Sequence, residues 1–567
     1  MTRIFHHRLL DSLRRRGPDG IGFWSNGQLF MGHTRLRIIG LYQDADEPLE
    51  NDRFVLIFNG EIYNFMEIKE RLQRERGLTL KMVNDAQVLL EAWTAWGESI
   101  LEDLEGFWAF AIYDKQANHL TMVRDQLGIK PLYYWHSKEG ICAGTTLASV
   151  LETVDQPREL DEEALSEYCL YQYTFGDKTF IRQVKKVLPG HVVRVNMDDY
   201  SLENHCYEDI LAPVEGDPVL ADEAWIEETR ALLTQCVLES TISDTSFTTL
   251  CSGGLDSSAV TRIANPETAY HCNFSDPVCN ETFFAQQVIR DTGIRLFTVN
   301  AQEQFNLVDR LADIVEDFDE LCIGSVILPL DDLLAQAKRR HKVLLVGTGG
   351  DELFAGYVRY QLTQGACLQS SYRDLFRKME RYDDPIKRFE VCHRKGNPEI
   401  YNFMQPNVEQ TFHQAFADCE PDKDLMRAMM RFDSRYFLSG LLTIDDRMCG
   451  RHSIEGRPSL LHQKLVRHMQ QVQAETLAYG GDMKTAMKKV VDGILPHGVI
   501  HRKDKMGFTT PIGDFVNRSA DQIREQISSS RFRHFYALKG MNLTAETKFS
   551  RETFGLLILD LWLNRYA

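Results

Sequence analysis

The chain has 567 residues, a hydrophobic content of 43% and a formal net charge of −18. One hydrophobic core rarely serves so long a chain, so we expect two or more domains. The acidic charge disfavours a nucleic-acid or membrane partner, and no apolar run approaches the roughly 20 residues that cross a bilayer. The N-terminal segment lacks the apolar core of a signal peptide, which predicts a cytoplasmic protein.

The first 200 residues predict an α+β domain built on antiparallel strands. Residues 21–36 predict a hairpin whose turn is Asn26-Gly27. Further strands are predicted at FVLIFNGEIYN and FWAFAIYDKQANHLTMVRD, and apolar residues at helical spacing predict helices at NFMEIKERLQRE and DAQVLLEAWTAWG. Strands in series with helices between them indicate an antiparallel sandwich covered by helices.

An acidic stretch with two prolines, around residues 205–220, separates this part from a different pattern. We therefore predict domains at residues 1–205 and 206–567. In the second domain, a helix at EAWIEETRALLTQCVL precedes short apolar strands at SFTTLC, AYHCNF, RLFTVN and KVLLV. This alternation predicts an α/β domain with a parallel sheet, and the last 150 residues predict a mainly helical part.

The segment LCSGGLDSSAV, residues 250–260, joins a predicted strand to a predicted helix through a glycine loop. Glycines let the backbone approach an anion closely, and a helix N-terminus offers free N–H groups. The hydroxyls add donors, and Asp256 is suited to hold Mg²⁺ on the phosphates. We predict ATP contacts at Ser252, Gly253, Gly254, Asp256, Ser257 and Ser258.

The segment KVLLVGTGGDELFAGYVRY repeats the order of strand, glycine loop and acidic residues. Here Gly349 is predicted to join the nucleotide site, and Thr348 is a candidate catalytic position. Asp351 is predicted as the second Mg²⁺ ligand, across the switch point of the sheet from Asp256.

A third segment, residues 495–515, carries Arg502, Lys503 and Lys505 just before a glycine. A lysine near the α-phosphate would stabilise charge that builds on pyrophosphate or on a tetrahedral intermediate. In this order, the three segments resemble the synthetase domain of asparagine synthetases, whose nucleotide loop is of the ATP pyrophosphatase type. The resemblance implies that Lys505 is essential to adenylation and transfer and that Lys484 is a further catalytic lysine.

Residues 445–466 resemble another signature of that family. They depart from it at Ser459, Leu460 and His462, where the family usually carries Pro, Phe and Asp.

The first domain resembles the family's glutamine amidotransferase domain, which is Ntn-hydrolase-like. The resemblance lies in RGPDG, GHTRLRIIG, FNGEIYNF, RDQLGIKPLYY and LPGHVVRV. It implies that Arg35 holds the glutamine carboxylate and that Asn59 and Gly60 form the oxyanion hole. It further implies that Glu61 and Asp85 face the α-amino group.

Two departures from the family bear on the amine source. A glutamine-hydrolysing member uses an N-terminal cysteine as nucleophile, whereas here Thr2 follows Met1 and the first cysteine is Cys142. We interpret the glutamine site as vestigial; Thr2 as nucleophile, or a true start that lies upstream, are the alternatives. Thr348 replaces the carboxylate usual in asparagine synthetases and the tyrosine of β-lactam synthetases, which also lack the cysteine.

We therefore predict an ATP- and Mg²⁺-dependent carbon–nitrogen ligase that forms an amide, or a lactam, through an acyl-adenylate and releases AMP and pyrophosphate. Its partners would be a small-molecule carboxylate and an amine, with a homodimer left open. The alternative is an asparagine synthase (glutamine-hydrolysing) whose cysteine is missing from the sequence. An RNA-modifying ATP pyrophosphatase is disfavoured by the acidic charge, and a decayed binding module by the intact Asp256, Asp351 and Lys505.

Overall fold

The computed structural model describes residues 9–80, 84–154, 156–214, 216–302, 304–322, 324–365, 373–421, 424–478, 482–502, 510–537, 543–545 and 551–567. Two residues of the predicted chemistry, Thr2 and Lys505, lie outside these ranges. Within the ranges, no helix combines the length and the apolar character that a membrane crossing needs.

The first part of the chain folds around a six-stranded antiparallel sheet with strand order β11-β10-β6-β5-β4-β3. A hairpin of β1 and β2 and a three-stranded sheet of order β8-β7-β9 accompany it. The predicted antiparallel domain and the hairpin at Asn26-Gly27 are confirmed. The strands are β1 Gly20–Ser25, β2 Phe30–Arg35, β3 Leu49–Glu50, β4 Phe54–Ile62, β5 Gly106–Asp114, β6 His119–Arg124, β7 Tyr133–Ser137, β8 Gly140–Gly144, β9 Val184–Lys186, β10 His191–Asn196 and β11 Leu202–Cys206.

The second part folds around a five-stranded parallel sheet of order β14-β13-β12-β15-β16. The predicted parallel α/β arrangement is confirmed, although the edge strand β16 was not predicted. The glycine loops of the two motifs follow β12 and β15, which are neighbours, so both loops emerge at one edge of the sheet. The strands are β12 Phe247–Leu250, β13 Thr268–Asn273, β14 Arg295–Asn300, β15 Val343–Val346 and β16 Glu455–Pro458.

Helices cover both sheets, and the C-terminal part is mainly helical, as predicted. The first-domain helices are α1 Phe65–Arg76, α2 Asp85–Trp96, α3 Leu147–Leu151 and α4 Glu162–Tyr171. Those that follow are α5 Glu223–Glu239, α6 Leu255–Ala264, α7 Thr282–Ile289, α8 Leu307–Val315, α9 Ile327–Ala337, α10 Gly350–Leu353, α11 Val358–Thr363, α12 Arg373–Met379, α13 Pro385–His393, α14 Val408–Ala417, α15 Leu425–Phe432, α16 Leu438–Arg451, α17 Gln463–Gln471, α18 Thr485–Val490, α19 His497–Ile500, α20 Ile512–Arg518, α21 Ala520–Ser529 and α22 Glu552–Tyr566.

Strand β16 and the residues after it bind the two sheets together. The fully buried Arg457 guanidinium donates to Glu61 Oε2 at 2.6 Å. His462, one of the departures from the family pattern, stacks on Tyr63 with ring centroids 5.4 Å apart. Removing one partner of such a buried ion pair would leave an unpaired charge, so the contact holds Glu61 in place.

Candidate active site

The two glycine loops approach each other closely at the carboxyl edge of the parallel sheet. A Cβ on Gly347 would lie 2.7 Å from the Ser257 backbone nitrogen, and one on Gly350 would lie 2.4 Å from Asp256 Oδ1. Only glycine fits such a contact. Residues of both loops line a cavity of ≈ 270 Å³, which is the candidate active site of the synthetase part.

Most of the predicted nucleotide residues line this cavity, namely Ser252, Gly254, Asp256, Ser257 and Gly349. The Ser252 and Ser257 hydroxyls lie 2.8 Å apart, and the Gly254 N–H donates to Ser252 Oγ at 3.2 Å. Gly253, whose φ of 81° lies in the region that favours glycine, and the buried Ser258 are not part of the lining. The loop thus presents hydroxyls, backbone N–H groups and the start of α6 to the cavity, a set suited to phosphate.

Lys484 joins the two carboxylates that the sequence predicts as metal ligands. Its ammonium lies 2.6 Å from Asp256 Oδ2 and 2.6 Å from Asp351 Oδ1. Burial lowers the pKa of Lys484, but the two carboxylates outweigh burial and raise that pKa above its ordinary value. The absence of a side chain at Gly356 makes room, since a Cβ there would lie 2.2 Å from Lys484 Cε.

This cluster shows that the cavity accommodates positive charge between its two carboxylates. A cation already lies there, in the form of the Lys484 ammonium, and carboxylate oxygens are ligands that Mg²⁺ prefers. The donor set therefore fits a divalent ion if Lys484 turns away.

Thr348 contacts a carboxylate that the sequence analysis did not select. Its hydroxyl donates to Asp445 Oδ2 at 2.6 Å, and both residues line the cavity. Burial raises the pKa of Asp445 to about 6, although the Thr348 hydrogen bond lowers it. The two residues are 97 positions apart, so only the packing of α16 beside the loop after β15 brings them together.

Glu352 supplies a further carboxylate to the same cavity. It accepts a hydrogen bond of 2.6 Å from the Tyr357 hydroxyl, and burial raises its pKa to about 8. Part of the lining is apolar, with Val326, Leu330, Leu333, Leu441 and Ile444.

Of the third motif, the structure describes Arg502, whereas Lys503 and Lys505 fall outside the described residues. Arg502 donates to the Gly253 carbonyl at 3.1 Å and pairs with Glu281 at 2.6 Å. Its guanidinium also lies 3.8 Å from the centroid of the Phe284 ring. Arg502 thus holds the backbone of the predicted nucleotide loop at Gly253.

A second cavity, of ≈ 230 Å³, lies where the first domain meets α16 and β16, and Arg35, Asn59, Gly60, Glu61 and Asp85 are among its lining residues. The structure therefore brings the five predicted glutamine-site residues together. Burial raises the pKa of Asp85 to about 6.

The Arg35 guanidinium is already engaged by its own domain. Its two terminal nitrogens donate to the carbonyls of Ile39, Gly40 and Tyr42 and to Asp46, at 2.8 to 3.2 Å. Because each terminal nitrogen carries two N–H groups, these four bonds use them all.

Two family models match successive parts of the chain. A glutamine amidotransferase domain model matches residues 3–207, and an asparagine synthase model matches residues 228–564. The chain belongs to the asparagine synthase family. It is therefore an ATP-dependent ligase of the amide-forming kind, as the sequence predicts.

Similar curated proteins span nearly the whole chain. Asparagine synthetase (glutamine-hydrolyzing) 1 of Bacillus subtilis is 26% identical over 588 residues, covering 96% of this chain and 91% of the relative. A putative asparagine synthetase (glutamine-hydrolyzing) of Mycobacterium bovis is 26% identical over 610 residues, covering 97% and 92%. Amidase chry2 of Gibberella zeae is 28% identical over 388 residues, covering 61% and 54%.

Proposed function

We propose that this ligase activates a small-molecule carboxylate as its acyl-adenylate and joins it to an amine that does not come from glutamine. Adenylation of the carboxylate is supported by the Asp256–Lys484–Asp351 cluster beside the serine and glycine loop. The loop would bind the pyrophosphate of ATP, and Asp256 and Asp351 would hold Mg²⁺, which would neutralise phosphate charge. Lys484 and Lys505 would stabilise the charge on the leaving pyrophosphate.

Two features of the synthetase cavity support a carboxylate substrate other than aspartate. Among the described residues that line it, none is an arginine or a lysine that would pair with a second substrate carboxylate. Part of its wall is apolar, which suits a substrate with an apolar frame. An amine on the same molecule as the activated carboxylate, as in lactam formation, would also gain from proximity.

The first prediction concerns the products. Turnover should release AMP and pyrophosphate, because the anion loop holds the departing pyrophosphate and not a single γ-phosphate. Asp256→Asn and Lys505→Ala should lower AMP release at least ~100-fold, as expected when charge stabilisation at the transition state is lost. Chromatography of [α-³²P]ATP reactions with a panel of carboxylates measures this.

The matched control is Asp291→Asn, since Asp291 is exposed and has a φ of 64°, which asparagine adopts readily. It should keep wild-type AMP release. Accumulation of ADP and phosphate in place of AMP and pyrophosphate would refute the proposed reaction.

The second prediction concerns the metal. Wild-type protein without ATP should bind Mn²⁺, a probe for Mg²⁺, weakly, because the Lys484 ammonium lies between the two carboxylates. Lys484→Met removes that cation and keeps the length of the side chain. Its Mn²⁺ affinity should rise by about tenfold or more, equivalent to about 1.4 kcal/mol. Electron paramagnetic resonance of free Mn²⁺ during titration gives the affinity.

Lys488→Met is the control for this titration, since Lys488 of α18 pairs with the exposed Asp482. It should bind Mn²⁺ as the wild type does. Equal, weak binding by Lys484→Met in a folded protein would mean that Asp256 and Asp351 do not form a metal site.

The third prediction concerns glutamine. The purified protein should release no glutamate from glutamine, because residues 1–141 contain no cysteine to act as nucleophile. The engaged Arg35 supports the same outcome, since its domain already uses all the N–H groups of its two terminal nitrogens. A coupled glutamate dehydrogenase assay detects the product. Glutamate release that disappears in Thr2→Ala would show that Thr2 serves as nucleophile.

A further inference from the structure

The synthetase cavity is lined by a carboxylate, Asp445, that has no cationic partner among the described residues. Asp445 is partly buried, lines the cavity and accepts a hydrogen bond from Thr348. Among the described residues, no lysine or arginine forms an ion pair with it, and the neighbouring Asp446 carboxylate raises its pKa. A carboxylate withdrawn from water without a cationic partner is costly, so this position favours a positively charged ligand.

Asp446, the next residue along α16, does have cationic partners. Asp446 lines the first-domain cavity, where it pairs with Arg16 at 2.8 Å and with Arg447 at 2.8 Å. Its charge is therefore already balanced. Of these two successive carboxylates on α16, Asp445 is the one that a ligand of the synthetase cavity can reach.

We propose that Asp445 binds the ammonium group of the amine substrate and accepts its proton, with Thr348 acting as a positioning residue that fixes the carboxylate. This inference rests on the proposed amide-forming function and assigns the group that accepts the proton of the amine substrate. The hydroxyl of Thr348 is too weak an acid to be the base itself, but it can hold Asp445 Oδ2 and leave Oδ1 toward the substrate.

The proposed step balances as follows. The carboxylate of Asp445 takes one proton from the ammonium, which yields a neutral amine and a neutral carboxyl group. The nitrogen lone pair then forms a bond to the acyl carbon of the adenylate, and the bond from that carbon to the phosphate oxygen breaks. AMP leaves with the electron pair, and the second nitrogen proton passes to the AMP phosphate or to water.

The ionisation of Asp445 agrees with its role as proton acceptor. With a pKa raised to about 6 by burial, it is ionised near neutral pH and is a stronger base than an exposed aspartate. Glu352 is the competing carboxylate in the cavity, but it accepts from Tyr357 and adjoins Asp351, which serves the phosphate end.

Two nucleophiles distinguish a proton acceptor from a structural aspartate. Ammonium is mostly protonated near neutral pH and needs a base, whereas hydroxylamine is mostly unprotonated and does not. Both would be supplied to the protein with ATP, Mg²⁺ and one carboxylate, chosen as the one that gives most hydroxamate in a screen of commercial carboxylic and amino acids. The rates of amide and hydroxamate formation are then measured separately.

Asp445→Asn keeps the size of the side chain and can still accept from Thr348. It should lower kcat for amide formation from ammonium by ~100-fold or more, the usual contribution of a general base. Hydroxamate formation should stay within a few-fold of wild type and also shows that the variant folds and adenylates. Thr348→Ser should retain amide formation, Thr348→Val should lose part of it, and Asp291→Asn should change neither product.

Equal losses of amide and hydroxamate in Asp445→Asn would overturn the proposal, because a structural role affects both nucleophiles alike. A selective loss in Glu352→Gln, with Asp445→Asn unaffected, would also overturn it and move the role to Glu352. If the wild type forms hydroxamate, the proposed function stands whatever Asp445 does. If the wild type releases no AMP with any carboxylate, the proposed function itself is wrong and the inference falls with it.

Discussion

The synthetase part depends on one balance of charge, the ammonium of Lys484 held between the carboxylates of Asp256 and Asp351. The two acids come from loops that follow neighbouring parallel strands, so the sheet itself places them side by side. Glycines at the loop contact allow the approach, and Gly356 admits the lysine. Without a cation, two carboxylates so close together would repel each other, and the Lys484 ammonium supplies that cation.

Helix α16 and strand β16 join the first domain to the synthetase part. The helix lines both cavities, with Asp445 toward the synthetase side and Asp446 toward the other. Arg457 of the strand binds Glu61 of β4 in a fully buried ion pair. A residue of the predicted glutamine site thus takes part in the contact between the two sheets, and its loss would cost stability independently of any glutamine chemistry.

Much of this arrangement could be predicted from the sequence because it is local. Alternating apolar residues and Asn26-Gly27 identify a hairpin, and SGGLDSS after a strand identifies an anion loop, since each signal lies within a dozen residues or so. The parallel sheet followed from the alternation of helix and strand. The sequence predicts that Asp256 and Asp351 lie close together, because each glycine loop follows a strand of the same sheet.

The remaining features depend on contacts between distant segments. Asp445 opens a stretch that resembles a family signature, but nothing in its spacing connects it to Thr348, 97 residues earlier. Strand β16 is four residues long and contains a glycine and a proline, so it lacks an ordinary strand pattern. Lys484 appeared as a catalytic lysine through family resemblance, and its position between the two carboxylates became visible only in the folded chain.

Oxygen transfer tests the central claim, that a carboxylate is activated as its acyl-adenylate. The carboxylate that best supports AMP release would be labelled with ¹⁸O in both carboxyl oxygens and incubated with the protein, ATP, Mg²⁺ and an amine. Attack on the α-phosphate followed by amide formation places one ¹⁸O atom in the phosphate of AMP, which mass spectrometry detects. Label found in inorganic phosphate or pyrophosphate, with unlabelled AMP, would contradict the account.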